Sequence, residues 1–244
     1  MSIYKSVKRI LFALTHPSFT LRRLKVGAIG ASTIELNEIA KYSSNFDNIL
    51  EAGAADGEDT ERLLKMFPAS HVYAFEPVRH SYVRLVKRFI NEPRVKLFNA
   101  ALSFESKGTT LYVSSNENST SGEGSSSLLR PTKHLDVFPM IHFLEINQEF
   151  VRTVNLDEWS INNGIKGFDL IWLDLQGMEQ LVIESAPLII GNSHLIYIEV
   201  SRKPLFEGGA SYQGIDEFLK SKGYVKRIER VGLISGNVLY ERRT

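Results

Sequence analysis

Beyond residue 44, short apolar runs alternate with stretches whose apolar positions recur every three or four residues, the pattern of a parallel sheet covered by helices on both faces. The runs predict strands at 47–53, 71–76, 95–98, 168–174 and 194–200. Helices fit between them at 57–66, with Leu63, Leu64 and Phe67 inward, at 78–91, with Tyr82, Leu85, Val86 and Phe89 inward, and at 178–190, with Leu181, Val182 and Ile183 inward. A helix at 213–222 leads to two further runs, 224–231 and 238–242, separated by Gly232 and Ser235-Gly236, which read as an antiparallel hairpin. The fold class implied is α/β: a doubly wound sheet, mostly parallel, with a C-terminal antiparallel hairpin.

An insertion at about 99–167 interrupts the alternation and opens with two short strands expected at 100–104 and 109–113. Its centre, 114–127, is rich in Ser, Asn, Gly and Thr, too poor in apolar surface to offset its own ordering entropy. It is expected to be mobile and to close as a lid over the ligand end of the sheet. Closure would bring Ser127-Leu128 near a bound donor, with Phe138, Ile141 and Phe143 as part of an acceptor wall. Residues 1–44 read as a separate N-terminal piece and 45–244 as one domain. In that piece Lys5, Lys8, Arg9, Arg22, Arg23 and Lys25 all precede the first acid, Glu35, and Ile3, Tyr4, Val7, Ile10, Leu11 and Leu14 fall at helical spacing before Pro17. A basic amphipathic helix of this kind admits two uses: contact with an anionic membrane surface through residues 1–25, or packing on the domain or on a second copy in a homodimer.

Composition narrows the classes. With 29 Lys plus Arg against 28 Asp plus Glu, the formal charge is +1, and no global field recruits nucleic acid. The absence of cysteine excludes disulfides, thiolate metal sites and cysteine nucleophiles. No apolar stretch reaches the roughly 18 residues of a membrane span, and no small-residue cleavage site follows the N-terminal apolar run, so a cytoplasmic location is expected, with any membrane contact at its inner face.

The chemistry starts at the first predicted strand. Ile49-Leu-Glu-Ala-Gly-Ala-Ala-Asp-Gly57 is an apolar run entering a glycine turn and then a helix, and the next strand ends Tyr73-Ala-Phe-Glu76. Such a turn lets backbone approach a ligand, and an acid at the tip of the neighbouring strand is placed to accept from ribose hydroxyls. A dinucleotide fingerprint would need further glycines where Ala55 and Glu58 stand, and the acids Asp56 and Glu58 would repel a pyrophosphate. The acidic turn suits a ligand with a cationic end, and S-adenosylmethionine carries a sulfonium and an ammonium.

Taken in order, Glu51-Ala-Gly-Ala-Ala-Asp-Gly57, Ala74-Phe-Glu-Pro77, Asn99-Ala-Ala-Leu-Ser103, Val154-Asn-Leu-Asp157 and Leu173-Asp-Leu-Gln-Gly-Met-Glu179 resemble the FkbM family of S-adenosylmethionine-dependent methyltransferases over roughly 45–241. The resemblance implies a Rossmann-like class I methyltransferase sheet and O-methylation of a hydroxyl on a saccharide, glycolipid or related metabolite. It implies main-chain contacts to the methionine part around Gly53, Ala54 and Gly57, an ammonium faced by Glu51 and Asp56, and a ribose held by Glu76 beside Pro77. Asn99, Ala100 and Ala101 would surround the adenine. The chain departs from the family at Glu51, where the family usually has Asp, and at Gln176, where Asp-x-Glu-Gly-x-Glu would carry an acid.

Methyl transfer needs alignment and removal of a hydroxyl proton. Asp174 and Glu199 fall at the carboxyl ends of adjacent predicted strands, where open α/β sheets bind ligands, and are the base candidates. Asp174, Glu179 and Glu199 could instead hold Mg²⁺ by oxygen. The metal-free use is preferred, because no Asp-Asp or Asp-Asn pair accompanies them. His134 and His142 flank Pro139 in the insertion, and a neutral imidazole there, His142 included, could act as base or simply pack. Two rival readings stand: an NAD-dependent oxidoreductase using the same Glu76 contact, and a non-catalytic cofactor-binding domain, suggested by Gln176.

Overall fold

The computed structural model describes residues 33–116, 122–137 and 141–243. The basic segment 1–25, with its membrane or dimer contact, lies outside the described residues. In chain order the elements are α1 (Leu36–Ile39), β1 (Asn48–Ala52), α2 (Glu58–Met66), β2 (His71–Phe75), α3 (Arg79–Arg88), β3 (Val95–Phe98), β4 (Ala101–Leu102) and β5 (Gly108–Asn116). A 3₁₀ turn (Gly122–Ser125) precedes α4 (Lys133–Val137), β6 (Ile141–Val154), α5 (Leu156–Asn163), β7 (Leu170–Leu173), α6 (Glu179–Ser185) and α7 (Pro187–Asn192). The chain ends with β8 (Leu195–Ser201), α8 (Tyr212–Ser221), β9 (Tyr224–Val231) and β10 (Ser235–Arg242).

Seven strands form the main sheet in the order β3-β2-β1-β7-β8-β10-β9, parallel through β8 and antiparallel at β10 and β9. Alternate side chains feed two apolar layers. Leu50, Ile171, Ile196 and Ile198 pack with Trp159, Val182 and Ile190 on one face. Ile49, Val72, Trp172 and Tyr197 pack with Leu63, Leu85 and Phe89 on the other. Ala52 stands opposite both Phe75 and Leu173, so the tips of β1, β2 and β7 are level and open on the same edge. Among the described residues, no helix is long and apolar enough to cross a membrane.

Three expectations are corrected. The helix at 178–190 is two, because Pro187 cannot donate a backbone hydrogen bond within a helix and instead starts α7, whose Leu188 and Ile189 N–H groups donate to Asp157. Ser235 and Gly236 belong to β10 rather than to the turn: a Cβ on Gly236 would lie 2.1 Å from the Arg230 carbonyl, so glycine permits the strand's close approach to β9. The insertion carries more strand than the two short runs expected, since β5 continues to Asn116 and β6 spans Ile141–Val154. β5 and β6 pair antiparallel, β4 joins β6, and Leu111, Val113 and Val151 form a third apolar cluster with Val78 and Ala101. Tyr112 and Ser127 exchange N–H···O bonds of 2.8 and 3.1 Å, which anchors the return of the serine-rich segment, while 117–121 and Phe138 lie outside the described residues.

Candidate active site

The turn after β1 is sewn to both neighbouring strands. The N–H groups of Gly53 and Ala54 donate to the Phe75 carbonyl at 3.0 and 3.1 Å, and the Asp174 N–H donates to the Ala52 carbonyl at 3.0 Å. Gly53 adopts φ +93°, and a Cβ there would sit 2.1 Å from the Asp174 carbonyl oxygen. Glu76 follows β2 and is 5% exposed; its two oxygens accept from the Ala55 and Val78 N–H groups, each at 2.8 Å. One acid thereby fixes the turn after β1 and the entry to α3.

Between these tips lies a cavity of about 220 Å³. Its polar wall carries Asp56, Glu58, Asp59, Glu76 and Asp174, its apolar wall Phe75, Leu102, Leu111, Leu128 and Met178, and no lysine, arginine or histidine is among its lining residues. A cationic ligand with a flat apolar ring fits this wall; a pyrophosphate would meet carboxylates at close range and no compensating cation. Glu58 and Asp59 were legible as the acidic start of a helix, whereas Leu102, Leu111 and Leu128 arrive from the insertion by non-local pairing.

Of the residues named from sequence, Gly53, Ala54, Asp56, Glu76, Pro77, Ala100, Ala101 and Asp174 line this cavity. The others stand behind it or elsewhere. Gly57 is the N-cap of α2. Asn99 braces the tip of β2, its Nδ2 donating to the carbonyls of Glu76 and Pro77 at 2.9 and 3.0 Å. Ser127 is buried and donates through Oγ to the Gln176 carbonyl at 2.8 Å. His142 is corrected as a base candidate: it sits opposite Ser115 in the β5–β6 ladder and lines neither this cavity nor the one beyond Gln176.

Glu51, expected at the ammonium, is not among the cavity's lining residues. Its carboxyl turns under α2 and accepts from Thr60 Oγ1 at 2.6 Å with 1% exposure. Burial pushes its pKa up to about 8, the Thr60 bond opposing and the charges of Asp59 and Glu76 assisting. A raised carboxyl pKa favours the fold while the group is protonated, and that contribution falls between about pH 4.5 and 8. Glu51→Gln should therefore flatten the pH dependence of the melting temperature across this window and be relatively more stabilising at pH 9 than at pH 5. Parallel pH dependences of wild type and variant in thermal melts would refute the assignment.

The loop from Asp174 to Glu179 carries the base candidate Asp174 and brings it close to Glu199. Gln176, at φ +51°, directs Nε2 to Asp174 Oδ1 at 2.6 Å and to Glu199 Oε2 at 2.8 Å. Both oxygens of Glu179 accept main-chain N–H groups of the loop, from Leu175 at 2.8 Å and Gly177 at 2.9 Å. Burial raises Glu179 to about 7, against the pull of those N–H groups. Burial and the nearby Asp174 carboxylate hold Glu199 well above the usual range. Burial raises Asp174 as well, with its hydrogen bonds to Glu199 and Gln176 opposing, so both carboxyls hold a proton more tightly than free ones do. Asp174, Glu179 and Glu199 each place an oxygen within 4.8 Å of the others. An amide donor between two of them and a fully engaged third make a proton-sharing cluster; a Mg²⁺ ion would have to displace those donors. Beyond Gln176, Glu199 lines a second cavity of about 110 Å³.

Residues 51–226 match the family described as the methyltransferase FkbM domain. The chain is 31% identical over 193 residues to the 2-O-methyltransferase NoeI of Sinorhizobium fredii, covering 78% of this chain and 77% of that protein. Among solved structures, it is similar to the Methanococcus jannaschii fibrillarin pre-rRNA processing protein, with TM-score 0.48 and 11% identity over 88% of this chain and 73% of that one. It is also similar to Aeropyrum pernix fibrillarin in complex with natively bound S-adenosyl-L-methionine, with TM-score 0.45 and 9% identity over 80% and 66%.

Proposed function

Because this chain belongs to the FkbM family and is an S-adenosylmethionine-dependent methyltransferase, we propose that it methylates a hydroxyl oxygen of a saccharide, glycolipid or related metabolite. The observation that carries the reading is Asp174: it lines the acidic cavity, and its hydrogen-bonded chain through Gln176 to Glu199 opens on the second. A relative named for 2-O-methyl transfer supports oxygen as the nucleophile.

When bound, S-adenosylmethionine supplies a methyl group activated by its sulfonium. The acids of the first cavity would complement that charge, Glu76 would hold the ribose, and Phe75, Leu102 and Met178 would offer the adenine an apolar wall. Asp174 would accept the proton of the acceptor hydroxyl as that oxygen takes up the methyl group. Gln176 would hold the Asp174 carboxylate in place through the amide that also bonds Glu199.

The test is transfer of tritium from S-adenosyl-[methyl-³H]methionine to a panel of hydroxyl acceptors, scored as alkali-stable label, because a methyl ether survives base and a methyl ester does not. Absence of stable label on every hydroxyl acceptor would overturn the reading. For the cofactor, Glu76→Ala removes charge-assisted bonds worth roughly 1.5–3 kcal/mol each before water compensates. It should weaken S-adenosylhomocysteine binding at least tenfold in calorimetry of the folded variant. Unchanged affinity, or tighter wild-type binding of NAD, would sink the assignment.

A further inference from the structure

The second cavity is built from three parts of the chain that the first does not use in the same way. Glu199 and Ser201 point from one face of β8, Ser235 stands opposite Ser201 on β10, and Gln176 and Gly177 close the side toward the cofactor cavity. Apart from Ser125 and Glu179, the remaining wall is aromatic and apolar. Phe206 and His134 lie with ring centroids 5.1 Å apart, backed by Phe143 at 5.4 Å from His134. Gln176 lines both cavities, so a group in the second reaches the first past the amide that holds Asp174 and Glu199.

We propose that this second cavity is the acceptor site and that it takes a neutral polyhydroxylated ring, with an apolar ring face on Phe206 and hydroxyls on Glu199, Ser201 and Ser235. The proposal rests on the reading of the enzyme as a hydroxyl methyltransferase. Its size suits one ring edge: about 110 Å³ is the share of three to four waters at about 30 Å³ each. Its chemistry selects charge. Neither lysine nor arginine is among its lining residues, so a carboxylate or phosphate on the acceptor would enter without a fixed cation to compensate it. His134 supplies no charge near neutrality, because burial holds it down at about 4. Serine hydroxyls and an amide can donate to and accept from ring hydroxyls, and an aromatic face covers the C–H side of a sugar ring.

The test uses saturation-transfer NMR on the enzyme saturated with S-adenosylhomocysteine, with methyl glycosides of glucose, galactose and mannose and the matching methyl uronosides as probes. At least one neutral glycoside should receive saturation, and its uronoside should not. Ser201→Phe, which fills the cavity, and Phe206→Leu, which stays apolar but removes the aromatic face, should each weaken glycoside binding at least tenfold with S-adenosylhomocysteine affinity unchanged. Where Ser201→Phe loses S-adenosylhomocysteine binding through misfolding, Phe206→Leu decides. Uronosides that bind as well as glycosides, variants that bind glycosides normally, or no glycoside signal at all would overturn the proposal. The tritium assay separates the two readings: glycosides bound here but never methylated would refute the function, and methylation undiminished in both variants would refute this site.

Discussion

Asp174→Asn should lower the rate of hydroxyl methylation by roughly 10²- to 10⁴-fold, the range for loss of a positioned general base. The amide keeps the shape and can still face Gln176, but it cannot take a proton. Wild-type kcat/KM should rise with pH as Asp174 loses its proton, above the ordinary 3.8 because burial raises the group, and the variant should lose that acid limb. The wild-type rate should survive exhaustive chelation. A variant with most of the wild-type rate would remove Asp174 from the chemistry, and chelator-sensitive activity restored by Mg²⁺ would recast Asp174, Glu179 and Glu199 as ligands.

The second large effect is expected from the smallest change. At Gly53→Ala the new methyl would begin 2.1 Å from the Asp174 carbonyl oxygen, at a φ of +93° that side chains rarely adopt. The carbonyl cannot simply retreat, because the same residue's N–H is bonded to Ala52 across the β1–β7 pair. Left-handed strain alone costs about 1–2 kcal/mol, and the clash adds to it. A total of about 3 kcal/mol would lower the melting temperature by roughly 6–12 °C in a chain of this size. S-adenosylhomocysteine affinity should fall with it, since Gly53 and Asp174 both line the cavity. A melting temperature within 2 °C of wild type, by the same roughly 2–4 °C per kcal/mol, would show that the turn relaxes freely.

The central parallel strands were legible as short apolar runs buried on both faces, as in Leu170–Leu173. Glu76 was legible because an acid ending such a run needs a reason to be there. The long strand β6 was not, and its residues explain why. Thr153 is 2% exposed and Phe150 is 81% exposed, the reverse of the alternation that marks a strand, and the partner ladder is irregular between Tyr112 and Ser114. Helix α5 could have been found. Asn155 caps it by accepting from Glu158 N–H, Asp157 and Glu158 fill its first turn, and Gly164 ends it in the left-handed conformation. The bridge of Gln176 between Asp174 and Glu199 was beyond reach for a different reason: it depends on two strands being neighbours and on a left-handed residue in the loop, neither of which a linear pattern encodes.

The segment returning from the insertion is stitched to the loop after β8. Thr132 and His134 N–H groups donate to the Leu205 carbonyl, Glu207 N–H donates to the Arg130 carbonyl, and Pro131 pairs with Phe206. That loop is tied in turn to the Asp174–Glu179 loop by the Ala210 N–H to Gly177 carbonyl bond. Two stretches some seventy residues apart in sequence are therefore a single inheritable module, counted from Thr132 to Leu205 as 73 positions. A chimera that exchanges one stretch alone would leave these backbone groups facing a foreign partner. Recombination between relatives that differ in substrate should succeed when both stretches come from the same parent.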